Sequence, residues 1–393
     1  MKKKSNLFSF KQFFSSFKNI RRFRDLNTDK RNIVFYSESG QDWHHFSWII
    51  KSLLDKSLFV CYVTSDRKDP GLSIRHTNYY SFCINEGFWL IIFFQFLKVD
   101  CLILTMIDLN LFHLKRSIHP VHYIYLFHSM SSTHMVDYEN SYDHYDTILC
   151  AGPHQIEEIR ARERIKKLPE KKCVPHGYAR IEELLNDNRN THQEPVPPYR
   201  ILIAPTWGPN TILPICGNEL VRQLLKNGFR VILRPHYQTN KLTPEVVQAI
   251  IADYGRHPYF TYIDSMSDTQ SLFDSDLLVC DWSSTSIEYA LALEKPVLYI
   301  DVPPRIRNKH YMDLGIEPIE VSVRKEAGEI LSPKELDKAP DLINRLLNDP
   351  GRFRKRIELF RKKVLFNIGT SVDVGAEEIA RIAKEIKRKR QNY

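Results

Sequence analysis

From Arg31 onward, short apolar runs alternate with stretches of helical spacing. RNIVFYSE (31–38) has the composition of a strand, and Trp43–Leu54 follows with apolar residues three and four apart, as a helix requires. SLFVCYVTS (57–65), VDCLILTM (99–106) and VHYIYLFHS (121–129) predict strands, the last two nearly continuous apolar runs of the kind buried on both faces of a parallel sheet. YDTILCAG (145–152) reads as another, leading into a helix that starts near His154. FWLIIFFQFL (88–97) stops at Lys98 and Asp100, short of the roughly eighteen apolar residues of a membrane span. It predicts a buried helix or strand.

The polar, proline-rich stretch LLNDNRNTHQEPVPPYR (184–200) then breaks the pattern as a linker would. Beyond it the alternation restarts with RILIAPTW (200–207), a helix over Asn218–Asn227, FRVILRPH (229–236) and a helix over Pro244–Tyr254. YFTYID (259–264), DLLVCDW (276–282) and PVLYID (296–301) complete the series. The fold class is α/β, with two Rossmann-like domains expected to face each other across a cleft. The expected boundaries are 31–183 and 200–350, a linker over 184–199, and C-terminal helices over 351–393 crossing back to the first domain.

Charge enters through the first residues. The net charge is +9, but residues 1–24 hold eight basic side chains and no acidic one, which leaves +1 for the other 369 residues. A near-neutral body argues against a phosphate-backbone surface, so no nucleic-acid partner is expected. The tail also places Phe10, Phe13, Phe14 and Phe17 at i, i+3, i+4 and i+7, one face of a helix. Residues 1–30 therefore predict a basic amphipathic segment lying on an anionic membrane surface; a helix docked on the protein's own core, or a disordered basic end, is the alternative. There is no continuous apolar core or small-residue cleavage site of a secretory signal. Seven cysteines, an odd number without CxxC spacing and several in apolar runs, fit buried thiols of a cytoplasmic protein. The expected location is cytoplasmic, peripheral on the inner face of the cell membrane.

In an open parallel sheet the ligand lies at the carboxyl ends of the strands. Four such ends in the second half carry chemistry: Thr206-Trp207, Arg234-Pro235-His236, Asp264-Ser265, and Asp281 with the turn Ser283-Ser284-Thr285-Ser286. The turn opens a helix, whose free N–H groups and partial positive charge attract an anion. Hydroxyls there, the fork of Arg234 and a donor from His236 together suit a diphosphate. By itself Ser283 or Ser284 would be an ordinary N-cap; the Arg-x-His of a neighbouring strand tips the reading to phosphate. In the first half a strand ends at His128, where a neutral imidazole can take a proton from an acceptor hydroxyl. His134 and His154 are weaker candidates, and His176-Gly177-Tyr178 marks a turn. No GxGxxG, GxxxxGK[ST] or Gly-x-Ser-x-Gly motif and no metal-ligand spacing occurs, so no cofactor is implied.

At these residues the chain resembles the CDP-glycerol glycerophosphotransferases of teichoic-acid and capsule polymer synthesis. ILIAPTW (201–207), VILRPH (231–236) and SLFDSDLLVCDWSSTSIEYALALEKPVLYID (271–301) carry the resemblance, with VPHGYARIEEL (174–184) in support. It implies a GT-B enzyme with an N-terminal acceptor domain and a C-terminal nucleotide-donor domain. An acceptor hydroxyl would attack the β-phosphate of a CDP-alditol, CMP would leave, and a phosphodiester would form on a lipid-linked or polymeric acceptor. His128 matches the family's catalytic base. Arg234, His236, Ser283, Ser284 and Thr285 match the site of the CDP phosphates, with His236 also a candidate for catalysis and Thr206 and Asp281 for donor binding. Two positions depart from the family: Ser129 follows His128 where Gly is usual, and Gly208 stands where Arg is frequent. The rival readings are a glycosyltransferase using a nucleotide sugar and a non-catalytic, membrane-docked nucleotide-binding subunit.

Overall fold

The protein is described here by a computed structural model covering residues 10–191, 194–264 and 268–391. Lys2, Lys3 and Lys4 of the basic tail, and Ser265, lie outside the described residues. The chain forms two compact units. The first comprises residues 1–128, 137–179 and 366–393, and the second 129–136 and 180–365.

The strands of the first unit are β1 (Ile33–Ser37), β2 (Val60–Thr64), β3 (Tyr79–Cys83), β4 (Cys101–Leu104), β5 (His122–Leu126), β6 (Thr147–Cys150) and β7 (Lys172–Pro175). They pair all-parallel in the order β3-β2-β1-β4-β5-β6-β7. Its helices are α1 (Phe10–Asp25), α2 (Trp43–Asp55), α3 (Phe88–Gln95) and α4 (Pro153–Lys166), and α5 (Ala179–Thr191) leads into the second unit. There β8 (Arg200–Ile203), β9 (Arg230–Leu233), β10 (Phe260–Tyr262), β11 (Leu277–Cys280), β12 (Val297–Ile300) and β13 (Gly328–Leu331) form a second parallel sheet. Its order is β10-β9-β8-β11-β12-β13. The helices of this half are α6 (Ile212–Lys226), α7 (Tyr237–Leu242), α8 (Pro244–Tyr254), α9 (Gln270–Asp274), α10 (Thr285–Leu293), α11 (Ile319–Ala327), α12 (Ala339–Asn348) and α13 (Pro350–Val364); α14 (Ser371–Gln391) returns to the first unit.

Both sheets follow from their sequences. The central strands bury every residue, so the ladder hydrogen bonds form away from water and both faces are free to pack. Helix α2 sets Phe46, Ile49, Ile50, Leu53 and Leu54 on one buried face, and Ala376, Ile379 and Ile382 of α14 join the same core. A Cβ on Gly375 would sit 2.6 Å from His176 Nε2. Only glycine lets α14 settle that closely over the end of β7.

Several elements differ from expectation for identifiable reasons. Helix α6 begins at Ile212, six residues early, because Pro214 falls in its first turn, where a missing N–H breaks no helical bond. Helix α5 runs through the first half of the expected linker. Ile181, Leu184 and Leu185 are buried at helical spacing, and the polar residues between them occupy the outer face. The edge strands β3 and β13 were not anticipated, since their burial is broken and gives little pattern to read. Of the final helices, α12 and α13 stay in the second unit and only α14 goes back. Helix α1 docks through Ile20 and Phe23, the latter meeting Phe82 and Phe93 edge-on at 5.5 and 5.2 Å. Phe13 and Phe17 lie against Trp89, both at 5.1 Å, while Phe14 stays 62% and Phe17 45% exposed. The predicted aromatic face is thus divided between the protein's own core and solvent.

Candidate active site

In the second sheet β9, β8 and β11 are neighbours, and their carboxyl ends bring the predicted residues together. The ladder holds to the last residue: Arg234 N–H donates to Ile203 at 2.9 Å and Ala204 N–H to Val279 at 3.2 Å. Past this point Asp281 turns inward. Its carboxylate accepts from the backbone of Thr206 at 2.8 Å and of Ile212 at 3.4 Å, so it ties the β8 loop and the start of α6 to the end of β11. Burial raises its pKa, and those backbone donors pull it back down. With both oxygens occupied and 1% exposure, Asp281 builds the scaffold rather than facing a ligand.

The turn beyond Asp281 is held by itself. Ser286 Oγ donates to the Ser283 carbonyl at 2.8 Å, and Ser283 Oγ accepts from Thr285 N–H at 3.3 Å. Ser284 is the N-cap of α10, yet its hydroxyl makes no capping bond. The hydroxyls of Ser284 and Thr285 are thus left over, half-buried at a positive helix end. Trp282 is pinned by its indole N–H to the Val302 carbonyl at 2.8 Å and by Arg324 stacked at 4.1 Å.

Arg234 carries the strongest electrostatic feature. It is 3% exposed and donates to the Asp268 carbonyl at 2.6 Å and Ser271 Oγ at 3.2 Å, but its Nε has no partner and it forms no ion pair among the described residues. Burial lowers its pKa, opposed by the more distant charges of Asp268 and Glu288. A buried guanidinium in that state strongly favours an anion beside it.

His236 caps α7. Its Nδ1 accepts from Gln238 N–H at 3.1 Å, which leaves the proton of the neutral ring on Nε2. Desolvation and the charge of Arg305 push its pKa down to about 4, so it is a neutral donor at physiological pH. Arg305 lies 4.2 Å over the Trp207 ring and reaches Thr206 Oγ1 at 3.5 Å. Sequence reasoning missed Arg305 because it stands in the irregular VPPRIR stretch after β12; its signal was the following strand end, left unread.

In the first unit His128 follows β5. Its carbonyl accepts from Tyr178 Oη at 2.9 Å, and its Nδ1 meets Tyr125 Oη at 3.2 Å. Tyr125 lies edge-on to Tyr142 with ring centroids 5.0 Å apart, and the Tyr142 hydroxyl donates to Asp137 at 2.5 Å. Burial drives both phenols well above their ordinary pKa, so each remains protonated. The Tyr125 hydroxyl thus holds Nδ1 of His128, and Nε2 has no hydrogen bond of this kind among the described residues. The end of β1, on the far side of β4 from β5, leads to Glu38 and Asp42. Asp42 accepts from the Glu38 and Ser39 amides at 3.0 and 3.3 Å; burial raises its pKa, and the attraction of His128 is among the effects lowering it. Glu38, whose side chain still reaches water, is pushed up to about 7 by burial and by the charges of Asp108, Asp42 and Glu86.

The other three candidate histidines serve the fold. His134 lies buried in the 129–136 segment and meets the Ile316 carbonyl at 3.1 Å. His154 sits in the first turn of α4. His176 is buried beneath α14, and burial lowers its pKa to about 4.

Residues 120–302, from just before β5 to just after β12, match the family described as CDP-glycerol:poly(glycerophosphate) glycerophosphotransferase. The protein is a transferase. The matched stretch is just under half of the chain and contains His128, Thr206, Arg234, His236 and the whole Asp281–Thr285 turn of this transferase. Its donor is a nucleotide-activated group. Comparison with curated proteins gives no match. Among solved structures, the S. aureus MnaA–UDP co-structure is 13% identical with a TM-score of 0.55, covering 88% of the transferase and 94% of that chain. UDP-GlcNAc 2-epimerase of Methanocaldococcus jannaschii, in complex with UDP-GlcNAc and UDP, is 12% identical with a TM-score of 0.54 over 90% and 99%. WaaG, a glycosyltransferase of lipopolysaccharide biosynthesis, is 11% identical with a TM-score of 0.51 over 88% and 99%. These likenesses are of fold: two parallel sheets of GT-B type.

Proposed function

We propose that the transferase moves an alditol phosphate, glycerol phosphate in the first instance, from a CDP-activated donor to a hydroxyl of a lipid-linked or polymeric acceptor. The acceptor oxygen forms a bond to the β-phosphorus. The bond from that phosphorus to the bridging oxygen breaks, and CMP leaves with the electron pair. The acceptor's proton passes to Nε2 of His128, whose other ring nitrogen Tyr125 holds. Arg234, the Ser284 and Thr285 hydroxyls, the α10 N-terminus and Nε2–H of His236 bind the diphosphate and stabilise charge as it gathers on the leaving group. Thr206 and Ser283 shape the cradle, and Asp281 keeps its loops in register.

The observation that carries this reading is Arg234, buried without an ion pair among the described residues and across β8 from a turn with spare hydroxyls. The family match over the same residues supports the CDP-alditol over a nucleotide sugar. The acceptor class and the membrane position rest on the exposed aromatic and basic side of α1; among the described residues no helix is long and apolar enough to cross a membrane. The transferase would then work peripherally, on the cytoplasmic face.

Purified protein is incubated with CDP-glycerol, CDP-ribitol and nucleotide sugars together with membrane extract, and nucleotide release is followed. CMP from a CDP-alditol, lost in His128→Ala and Arg234→Ala, is the expected result. Release from a nucleotide sugar alone would replace the reading with glycosyl transfer, and binding without turnover would leave a nucleotide-binding subunit.

A further inference from the structure

A second feature lies at the opposite edge of the first sheet. Arg31, Lys98 and His119 stand just before β1, β4 and β5, at the amino ends of strands whose carboxyl ends lead to Glu38, Asp108 and His128. Between them and α1 is a cavity of about 330 Å³. Its walls are apolar: Ile20 and Phe23 from α1, with Phe93, Phe96 and Leu97 at the end of α3. Arg24, Arg31, Lys98 and His119 supply the rest of its lining.

Arg31 lies 5.9 Å over the Phe23 ring, yet among the described residues none of the four basic groups has an ion pair, and Arg31 Nε is buried without a hydrogen bond. The acids of this edge are already occupied by the far end of the chain, Asp29 by Lys387 at 2.8 Å and Asp100 by Arg390. Arg388 and Lys389 add exposed charge on the same helix end. Beside the cavity Phe96 and Ile118 are 43% and 62% exposed, and Phe14 and Phe88, which both border Phe13, continue the exposed apolar surface toward the start of α1 and α3. Isolated exposed apolar groups need no explanation, but a cluster of them beside unpaired cations does.

We infer that this cavity binds one anionic phospholipid of the membrane, its phosphate among Arg24, Arg31 and Lys98 and the first methylenes against the phenylalanines. The inference rests on the peripheral reading above and adds to it a specific lipid site. The volume lies near the small end of the range of about 300–1,000 Å³ typical of ligand pockets, which suits a headgroup and the start of its chains rather than a whole lipid. A soluble polar anion would leave the phenylalanine wall uncovered, and an uncharged lipid would leave the cations unpaired. Placed at the amino edge, the site anchors the protein without entering the chemistry at the carboxyl edge.

The test uses full-length protein and two probes: monomeric dihexanoyl phosphatidylglycerol, followed by calorimetry, and phosphatidylcholine vesicles with or without phosphatidylglycerol, followed by flotation. The short-chain lipid should bind the wild type, and Arg31→Gln with Lys98→Gln should weaken it about 25-fold, about fivefold per cation. A charge-matched control, Arg388→Gln with Lys389→Gln, should retain it, and thermal unfolding checks that both variants fold. Absence of short-chain binding, equal loss in the control, or inorganic phosphate binding as tightly as the lipid would each overturn the pocket. The peripheral reading fails separately: it is overturned if wild-type protein ignores phosphatidylglycerol vesicles, whatever the monomeric lipid does. Vesicle binding lost in Phe14→Ser with Phe88→Ser, while the short-chain lipid still binds, is the result expected if surface and pocket are distinct.

Discussion

The two sheets arm their carboxyl edges in different ways. In the second, the functional side chains sit directly on the strand ends and are supported by backbone: Asp281 holds two amides, Asp268 offers its carbonyl to Arg234, and Gln238 N–H fixes His236. In the first, one histidine is supported by a side chain, the hydroxyl of the buried Tyr125. Binding a diphosphate needs several fixed donors, which backbone geometry supplies. Taking a proton needs one ring held in place, which a hydroxyl behind it supplies. On the proposed reading, the same sheet architecture carries a binding edge in one unit and a proton-transfer edge in the other.

That division can be broken by kinetics. His128→Ala should lower kcat by about 10²–10⁴ with the donor KM nearly unchanged. Arg234→Ala should cost about 10²–10³ in kcat/KM and raise the donor KM as well. If both variants altered the same parameter in the same proportion, the separation of binding from proton transfer would be lost. Tyr125→Phe removes one hydrogen bond to His128, worth up to roughly tenfold in kcat, and should leave the donor KM alone. An effect confined to thermal stability would make Tyr125 structural only.

The distinction also explains what could be read in advance. Arg234, His236 and the Ser283–Thr285 turn were legible because each interrupts an apolar run at a strand end, where a polar residue needs a reason. The parallel strands were legible for the same cause, as runs such as LLVC and VLYI have few other uses. Tyr125 and Tyr142 were not, because a tyrosine within an apolar run looks like core, and both are core as well. Glu38 and Asp42 lay in SESGQDW, a polar strand end as loaded as those of the second half but without a cation to single it out. Asp281 was legible as a position, while its inward turn depended on which backbone amides needed an acceptor.

Two smaller effects sharpen the contrast through pH. His176 has a folded pKa of about 4, below the ordinary histidine value of 6.5. The unfolded chain therefore takes up its proton first, and stability present at neutral pH is lost as pH falls from about 6.5 through about 4, by roughly 3 kcal/mol at most. His176→Gln should flatten that acid limb in a melting series, and an unchanged limb would remove His176 as its cause. Glu38 shows the reverse sign. Its folded pKa of about 7 lies above that of a free carboxylate, so the unfolded chain releases its proton first and stability declines as pH rises from about 4.5 to about 7. Glu38→Gln should remove that decline. The effect will be the smallest of the set, because the side chain reaches water.

The return of α14 has a consequence for how the protein is made. The core of the first unit includes Ala376, Ile379 and Ile382, so the face of α2 stays uncovered until residues 371–391 have left the ribosome. The second unit, complete by residue 365, has all its parts earlier. Synthesis and completion therefore run in opposite orders: the half begun first is finished last, and an interrupted chain keeps an exposed apolar surface that folding factors can recognise. The same helix brings Lys387 and Arg390 to Asp29 and Asp100, so the basic edge of the first unit is assembled only on chains translated through that point.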